Sequence, residues 1–304
     1  MVEEKNIKTD SPQAWLLAAR PKTLAGAAVP VMIGVSLAWV DAPLYEGDAF
    51  SWLAALLCLL FSFAMQIDAN FINDYVDFAK GTDDRSTRLG PERACAQGWV
   101  STLKMERAIV ATTSLACAVG LPLVWYGGWQ MIVVGLLCVL FCFLYTTHLS
   151  YMGMGDVLVL VFFGLVPVCV TYYVQLHVVT CQVLLASLAC GLVIDALLLV
   201  NNFRDRDTDR LAGKRTLVVY IGPRASLALY LGVGIVACLI GLVFGLRGGH
   251  WMAVVLPLLY LVLHFLTFLK MHRIWEGRQL NACLGETARN IFVYGLLVTL
   301  GLLL

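Results

Sequence analysis

The sequence predicts an all-α polytopic membrane protein of nine transmembrane helices with a cytoplasmic N-terminus, and three observations carry that expectation. Of its 304 residues 60% belong to the hydrophobic set and 13% are charged, with a mean hydropathy of +0.82, whereas a soluble domain carries about 25% charged residues. No Asp, Glu, Lys or Arg occurs from Ala108 to Gly155 or from Val157 to Ile194. A spanning helix needs about 20 apolar residues, so each run holds two. Third, the basic residues are segregated: segments 1–22, 69–107, 148–156, 201–224 and 270–289 hold 20 of the 21, and only Arg247 lies outside them. That bias fixes both the number of spans and their direction. Collagen, disorder and a disulfide-rich secreted scaffold are excluded, and a net charge of +1 leaves a lipid bilayer, not nucleic acid, as the expected surroundings.

The elements follow in order. Glu3, Glu4 and Asp10 interrupt the N-terminus, so no cleaved signal peptide is expected. Ser11-Pro12 reads as the cap and first turn of a short interfacial helix that carries Trp15 and ends before Pro21. Spans are expected at 23–40, 49–68, 108–126, 129–147, 157–176, 178–200, 225–246, 250–269 and 287–304. The last is short, so its helix should begin before Arg289, whose side chain can snorkel to the interface. Trp39, Trp52, Trp125, Trp129 and Trp251 fall at the non-cytoplasmic ends, as an aromatic belt would. Cys58, Cys117, Cys138, Cys142, Cys169, Cys190 and Cys238 lie inside spans and read as buried thiols. No His spacing suits zinc. One domain over 1–304 is the economical organisation.

Two acidic clusters carry the chemistry, NFINDYVDFAKGTDD from Asn70 and NNFRDRDTDRLAGKRTL from Asn201. They follow the second and sixth spans, on the same side. If each continues its helix, Asn73 and Asp77 share one face, and Asn201, Asp205 and Asp209 another. Crowded carboxylates repel, by about 4 kcal/mol at about 4 Å and an effective dielectric of 20. A divalent cation removes that cost, and oxygen ligands shared with substrate phosphates suit Mg²⁺. A calcium loop starting at Asp205 fails, with Arg210 at its sixth position and Thr216 at its twelfth. Lys214 and Arg215 follow the second cluster, Arg85, Arg88 and Arg93 the first, and Arg20 and Lys22 stand at the first span. Metal and cations together suit a diphosphate, and at a membrane surface a lipid diphosphate.

At these residues the chain resembles the UbiA superfamily of intramembrane aromatic prenyltransferases, whose members carry N-D-x-x-D and D-x-x-x-D motifs after the second and sixth of nine helices around a central cavity. Asn73, Asp74 and Asp77 match the first motif, and Asp205 and Asp209 the second. Gly81 stands where many members place a third acid, so Asp83 or Asp84 takes that role. Within the superfamily the segments RPKTL, RLGPERACAQG and GMGDVLVLVFFG are similar to the subfamily that uses 1,4-dihydroxy-2-naphthoate as acceptor. The resemblance implies Mg²⁺ held by Asn73, Asp77, Asp83, Asp205 and Asp209, and polyprenyl diphosphate bound by Arg20, Lys22, Arg88 and Lys214. It implies reaction through an allylic cation that Tyr145 faces, unless Tyr145 is an interfacial anchor, with CO₂ and diphosphate lost and demethylmenaquinol formed in a bacterial plasma membrane.

Asp195, within the sixth span, is a functional candidate by its position alone. With Asn202 and Asp74 it forms the expected acceptor-binding set. Asp156 could be a helix cap, and Asp68 receives no assignment. A transporter or magnesium channel is the competing class, disfavoured because the span interiors hold Asp195 as their one acid. A related enzyme using 4-hydroxybenzoate or homogentisate differs only in its acceptor.

Overall fold

A computed structural model describes residues 7–45, 50–81 and 88–304. Among the described residues every regular element is a helix. α1 (Pro12–Ala19) is capped by the Ser11 hydroxyl, which accepts from Ala14 N, as the Ser-Pro pair led one to expect. It ends where Arg20 takes a left-handed φ of 50° just before Pro21, a conformation that non-glycine residues rarely hold. The longer helices are α2 (Leu24–Asp41), α3 (Trp52–Ala79), α4 (Thr102–Gly127), α5 (Gln130–Thr147), α6 (Gly155–Leu176), α7 (Cys181–Leu211), α8 (Pro223–Gly248) and α9 (Met252–Ile274). α10 (Leu280–Leu303) is last.

By length and composition eight helical stretches among the described residues can cross a membrane, the first joining α1 and α2. The ninth expected span, α10, is 24 residues long and does begin before Arg289, at Leu280. It carries Glu286 and Arg289 and falls outside those eight. The chain is a multi-pass membrane protein.

The helices form a closed bundle. α2 packs on α3, α3 on α4 and α5, α6 on α7, α7 on α8, α8 on α9, α9 on α10, and α10 returns to α2. Several are broken at the residues that break helices: α4 tightens at Leu121–Leu123 around Pro122, α8 is interrupted at Gly241, and α9 restarts after Pro257. α6 widens into a π turn at Leu160–Leu165.

The main core joins α2, α6, α7, α8, α9 and α10. The lipid-facing rim is apolar, and the five tryptophans expected in a belt are all exposed. Two helices outrun the expected spans. α3 continues to Ala79 rather than ending at residue 68, and α7 to Leu211 rather than 200, so both acidic motifs sit on helices and not on loops.

Candidate active site

Those overhangs set the site. α3 and α7 each carry an apolar span that runs directly into a polar turn, so Asn73 and Asp77 on one, and Asn201, Asn202, Asp205 and Asp209 on the other, face a single cavity of about 1490 Å³. Arg20, Lys22, Arg88 and Lys214 line the same cavity, as does Tyr145. The rest of the wall is chiefly apolar and aromatic, with Phe61, Phe141, Phe162 and Phe163 among its side chains.

Asp77, Asp205 and Asp209 each meet a cation. Asp77 accepts from Arg93 Nη2 at 3.1 Å. Asp205 is gripped on both oxygens by Arg204, at 2.8 Å from Nε and 2.5 Å from Nη2. Asp209 Oδ1 lies 3.6 Å from Lys214 Nζ. The repulsion that the sequence assigned to a divalent ion is thus relieved here by Arg93, Arg204 and Lys214, and among the described residues no three His, Cys, Asp or Glu side chains gather to hold a metal by themselves. Asp209 Oδ2, however, is buried with no hydrogen-bond partner, an acceptor facing nothing that donates. Asn73 accepts from the Thr146 hydroxyl. This donor set fits Mg²⁺ as a shared ion, since Mg²⁺ commonly takes one or two carboxylates, several waters and substrate phosphates.

The cations are equally positioned. Arg88 donates from Nε to Pro91 O at 2.8 Å. Burial and the charge of Arg93 lower its pKa to about 10, so it stays charged at neutral pH. Lys80 Nζ donates to Thr147 O at 2.7 Å and sits 4.4 Å from the centroid of the Tyr151 ring, with Lys214 at 6.0 Å from the same ring. Arg215 N donates to Tyr151 O at 3.1 Å, which ties the segment after α5 to the segment after α7.

One expectation is corrected. Asp74 is not among the residues lining the cavity. It is fully buried, and its oxygens accept from Ala94 N at 2.9 Å and Cys95 N at 2.8 Å, with Arg20 Nη2 at 3.7 Å. Asp74 stands one residue on from Asn73, a turn of about 100° around the helix, so it points off the cavity face and anchors the loop that carries Arg93. Arg289 is exposed and also lines the cavity. Asp195 is buried just off the wall made by its neighbours Ile194, Leu197 and Leu198. Asp83 and Asp84 lie outside the described residues, as does Arg85. Asp68, left unassigned, accepts from the Thr112 and Thr113 hydroxyls, the latter at 2.7 Å, and so clasps α3 to α4.

Sequence reasoning passed over Arg204, whose side chain is 1% exposed and also donates to Asn201 and Asn281. The adjacency Arg204-Asp205 was the available signal. Asn281, which donates to Leu89 O at 2.8 Å, had none.

Residues 27–293 match the UbiA prenyltransferase family, and the chain belongs to that family. It is 38% identical over 231 residues to the 1,4-dihydroxy-2-naphthoate octaprenyltransferase of Escherichia coli, covering 73% of this chain and 72% of that one. With the protein of the same name from Mycobacterium tuberculosis it shares 33% identity over 288 residues, 93% of this chain and 94% of the relative. The fold is that of a UbiA homolog from Aeropyrum pernix, with a TM-score of 0.69 at 14% identity over 93% of this chain and 98% of that one. It also matches a UbiA homolog from Archaeoglobus fulgidus bound to DMAPP and Mg²⁺, with a TM-score of 0.59 at 15% identity over 93% and 98% of the two chains.

Proposed function

We propose that this protein transfers a polyprenyl group from polyprenyl diphosphate to 1,4-dihydroxy-2-naphthoate, releasing diphosphate and CO₂ and giving demethylmenaquinol, in a bacterial plasma membrane with its N-terminus cytoplasmic. The observation that carries this reading is the cavity itself: two acidic helix ends and six cations, Arg20, Lys22, Arg88, Arg93, Lys214 and Arg289, share it with an apolar aromatic chamber. Two relatives at 33–38% identity are named for that reaction.

The roles follow from charge and position. Arg20, Lys22, Arg88 and Lys214 bind the diphosphate and neutralise it as the allylic C–O bond breaks and its electron pair leaves with the phosphate. Asn73, Asp77, Asp205 and Asp209, joined by Asp83 or Asp84, would hold Mg²⁺. When bound, the ion adds positive charge against the departing oxygens. Arg93 and Arg204 hold two of these carboxylates in place meanwhile. The chamber keeps water from the allylic cation, and the Tyr145 ring faces it. A ring carbon of the naphthoate forms the new C–C bond, and loss of CO₂ returns the electron pair that restores aromaticity.

Reconstitution with Mg²⁺, a polyprenyl diphosphate and 1,4-dihydroxy-2-naphthoate tests this, followed by product mass and CO₂ release. Prenylated, decarboxylated product is expected, abolished by EDTA and in Asp77→Ala and Asp205→Ala. Turnover only with another phenol would move the acceptor, and no diphosphate release with any acceptor would overturn the enzyme reading.

A further inference from the structure

Asp156 and Asp195 take no part in binding the diphosphate. Asp156, in the first turn of α6, lines the cavity. Asp195 sits midway along α7. They are 8% and 4% exposed, and Oδ1 of each is buried with no hydrogen-bond partner. Unsatisfied acceptors are costly inside a membrane, and ionisable groups there usually face a partner.

The packing register supplies the partner. α6 and α7 meet through glycines: a Cβ on Gly164 would lie 2.6 Å from Ser187 O, one on Gly191 3.2 Å from Leu160 Cα, and one on Gly155 3.2 Å from Leu198 Cδ2. As the numbers fall along α6 from 164 through 160 to 155, they rise along α7 from 187 through 191 to 198. Asp156 therefore stands opposite the turn that carries Asp195. Two carboxylates cannot satisfy each other, because both only accept and like charges repel. A single shared proton resolves both difficulties, leaving the pair one negative charge and spare acceptor capacity toward the cavity.

The location selects the donor that fills that capacity. Along α7, Asp195 lies ten residues, about 15 Å, deeper than Asp205, beyond the diphosphate end. Tyr145 is adjacent, its Oη 3.9 Å from a Cβ on Gly155. A diphosphate offers only acceptors and is repelled, and a prenyl tail has no donor. An aromatic hydroxyl brings a donor on a flat apolar body. We propose that Asp156, on the cavity wall, and Asp195, just behind it, share one proton, and that Asp156 so held accepts a hydrogen bond from a hydroxyl group of the aromatic acceptor and turns its carboxylate toward the cationic mouth. This inference rests on the proposed reaction, since it presumes a hydroxyarene acceptor.

Steady-state kinetics test it, varying each substrate in turn. In Asp156→Asn and Asp195→Asn the KM for the naphthoate should rise about tenfold, the loss of one charged hydrogen bond, while the KM for polyprenyl diphosphate stays put and Asp156→Glu recovers part of the loss. Unchanged acceptor KM, or parallel changes in both KM values, would overturn it. Should the variants not fold, the wild-type protein decides: naphthoate added without prenyl donor should shift the infrared band of a protonated carboxyl, and its doubly O-methylated analogue should not. No shift with the free hydroxyarene overturns the subsite. Failure of the reaction itself is read separately, as absent turnover in wild type, and a different accepted phenol would take the naphthoate's place in both measurements.

Discussion

Arg204 and Asp74 show how much a single side chain decides at the mouth of the cavity. Arg204 lies on the same helix as Asp205, and its planar fork spends two donors on that carboxylate and others on Asn201 and Asn281. Lys keeps the charge but not the fork. Arg204→Lys should therefore lower turnover by about tenfold to a hundredfold, the worth of a charged bidentate contact, and raise the Mg²⁺ concentration needed for half-maximal rate; unchanged metal dependence would remove Arg204 from the positioning of Asp205. Asp74 predicts a different signature. Both its oxygens accept from backbone N–H groups, and an amide can accept on only one side. Asp74→Asn should cost about 1–3 kcal/mol of stability, seen as a lower melting temperature in detergent, with the acceptor KM of the folded protein unchanged. An acceptor-binding role would show the reverse.

The seam between α6 and α7 is an element-scale device. Gly164 stands 2.6 Å, measured from the Cβ it lacks, from Ser187 O, and 2.8 Å from Gly191 Cα, so the two backbones approach as small residues in membranes allow. Gly164→Ala forces backbone against backbone and should destabilise by about 1–3 kcal/mol. Gly232 on α8 has open space around its missing Cβ, and Gly232→Ala should leave the melting temperature unchanged or raise it slightly, because alanine is the better helix former. Equal effects at the two sites would mean that the seam is not close-packed. Such seams are hard to read in a sequence, since GxxxG-like small residues mark an approach without naming its partner. The spans themselves were legible, because charge-free runs report directly on bilayer thickness. Their ends were not: α3 and α7 keep their backbone hydrogen bonds past the last apolar residue, which hydropathy does not register, and the interruptions at Pro122 and Pro257 sit inside apolar runs that read as continuous.

At the scale of the whole molecule, the same division separates what the chain announces from what folding adds. Asn73, Asp77, Asp205 and Asp209 were legible because helical spacing puts each pair on one face; Arg93 on Asp77 and Asn281 on Leu89 join residues that only the closed bundle brings together. Bundle orientation gives a final expectation that thiol chemistry can check. All ten cysteines are free. Cys95, near the acidic mouth, is buried, and burial followed by the charge of Asp74 pushes its thiol up to about 12, so it forms almost no thiolate at neutral pH and resists alkylation. Cys117 is exposed on α4 and lines the apolar cavity within the span, where an anionic reagent does not partition. Cys181 is exposed at the start of α7, 24 residues and about 36 Å from Asp205, which exceeds the hydrocarbon thickness. With the acidic mouth facing the cytoplasm, a membrane-impermeant maleimide added to intact cells should place one label on each chain, and Cys181→Ser should abolish it. Labelling of Cys181 only after the cells are opened would reverse the bundle in the membrane, and with it the side from which both substrates' charged ends arrive.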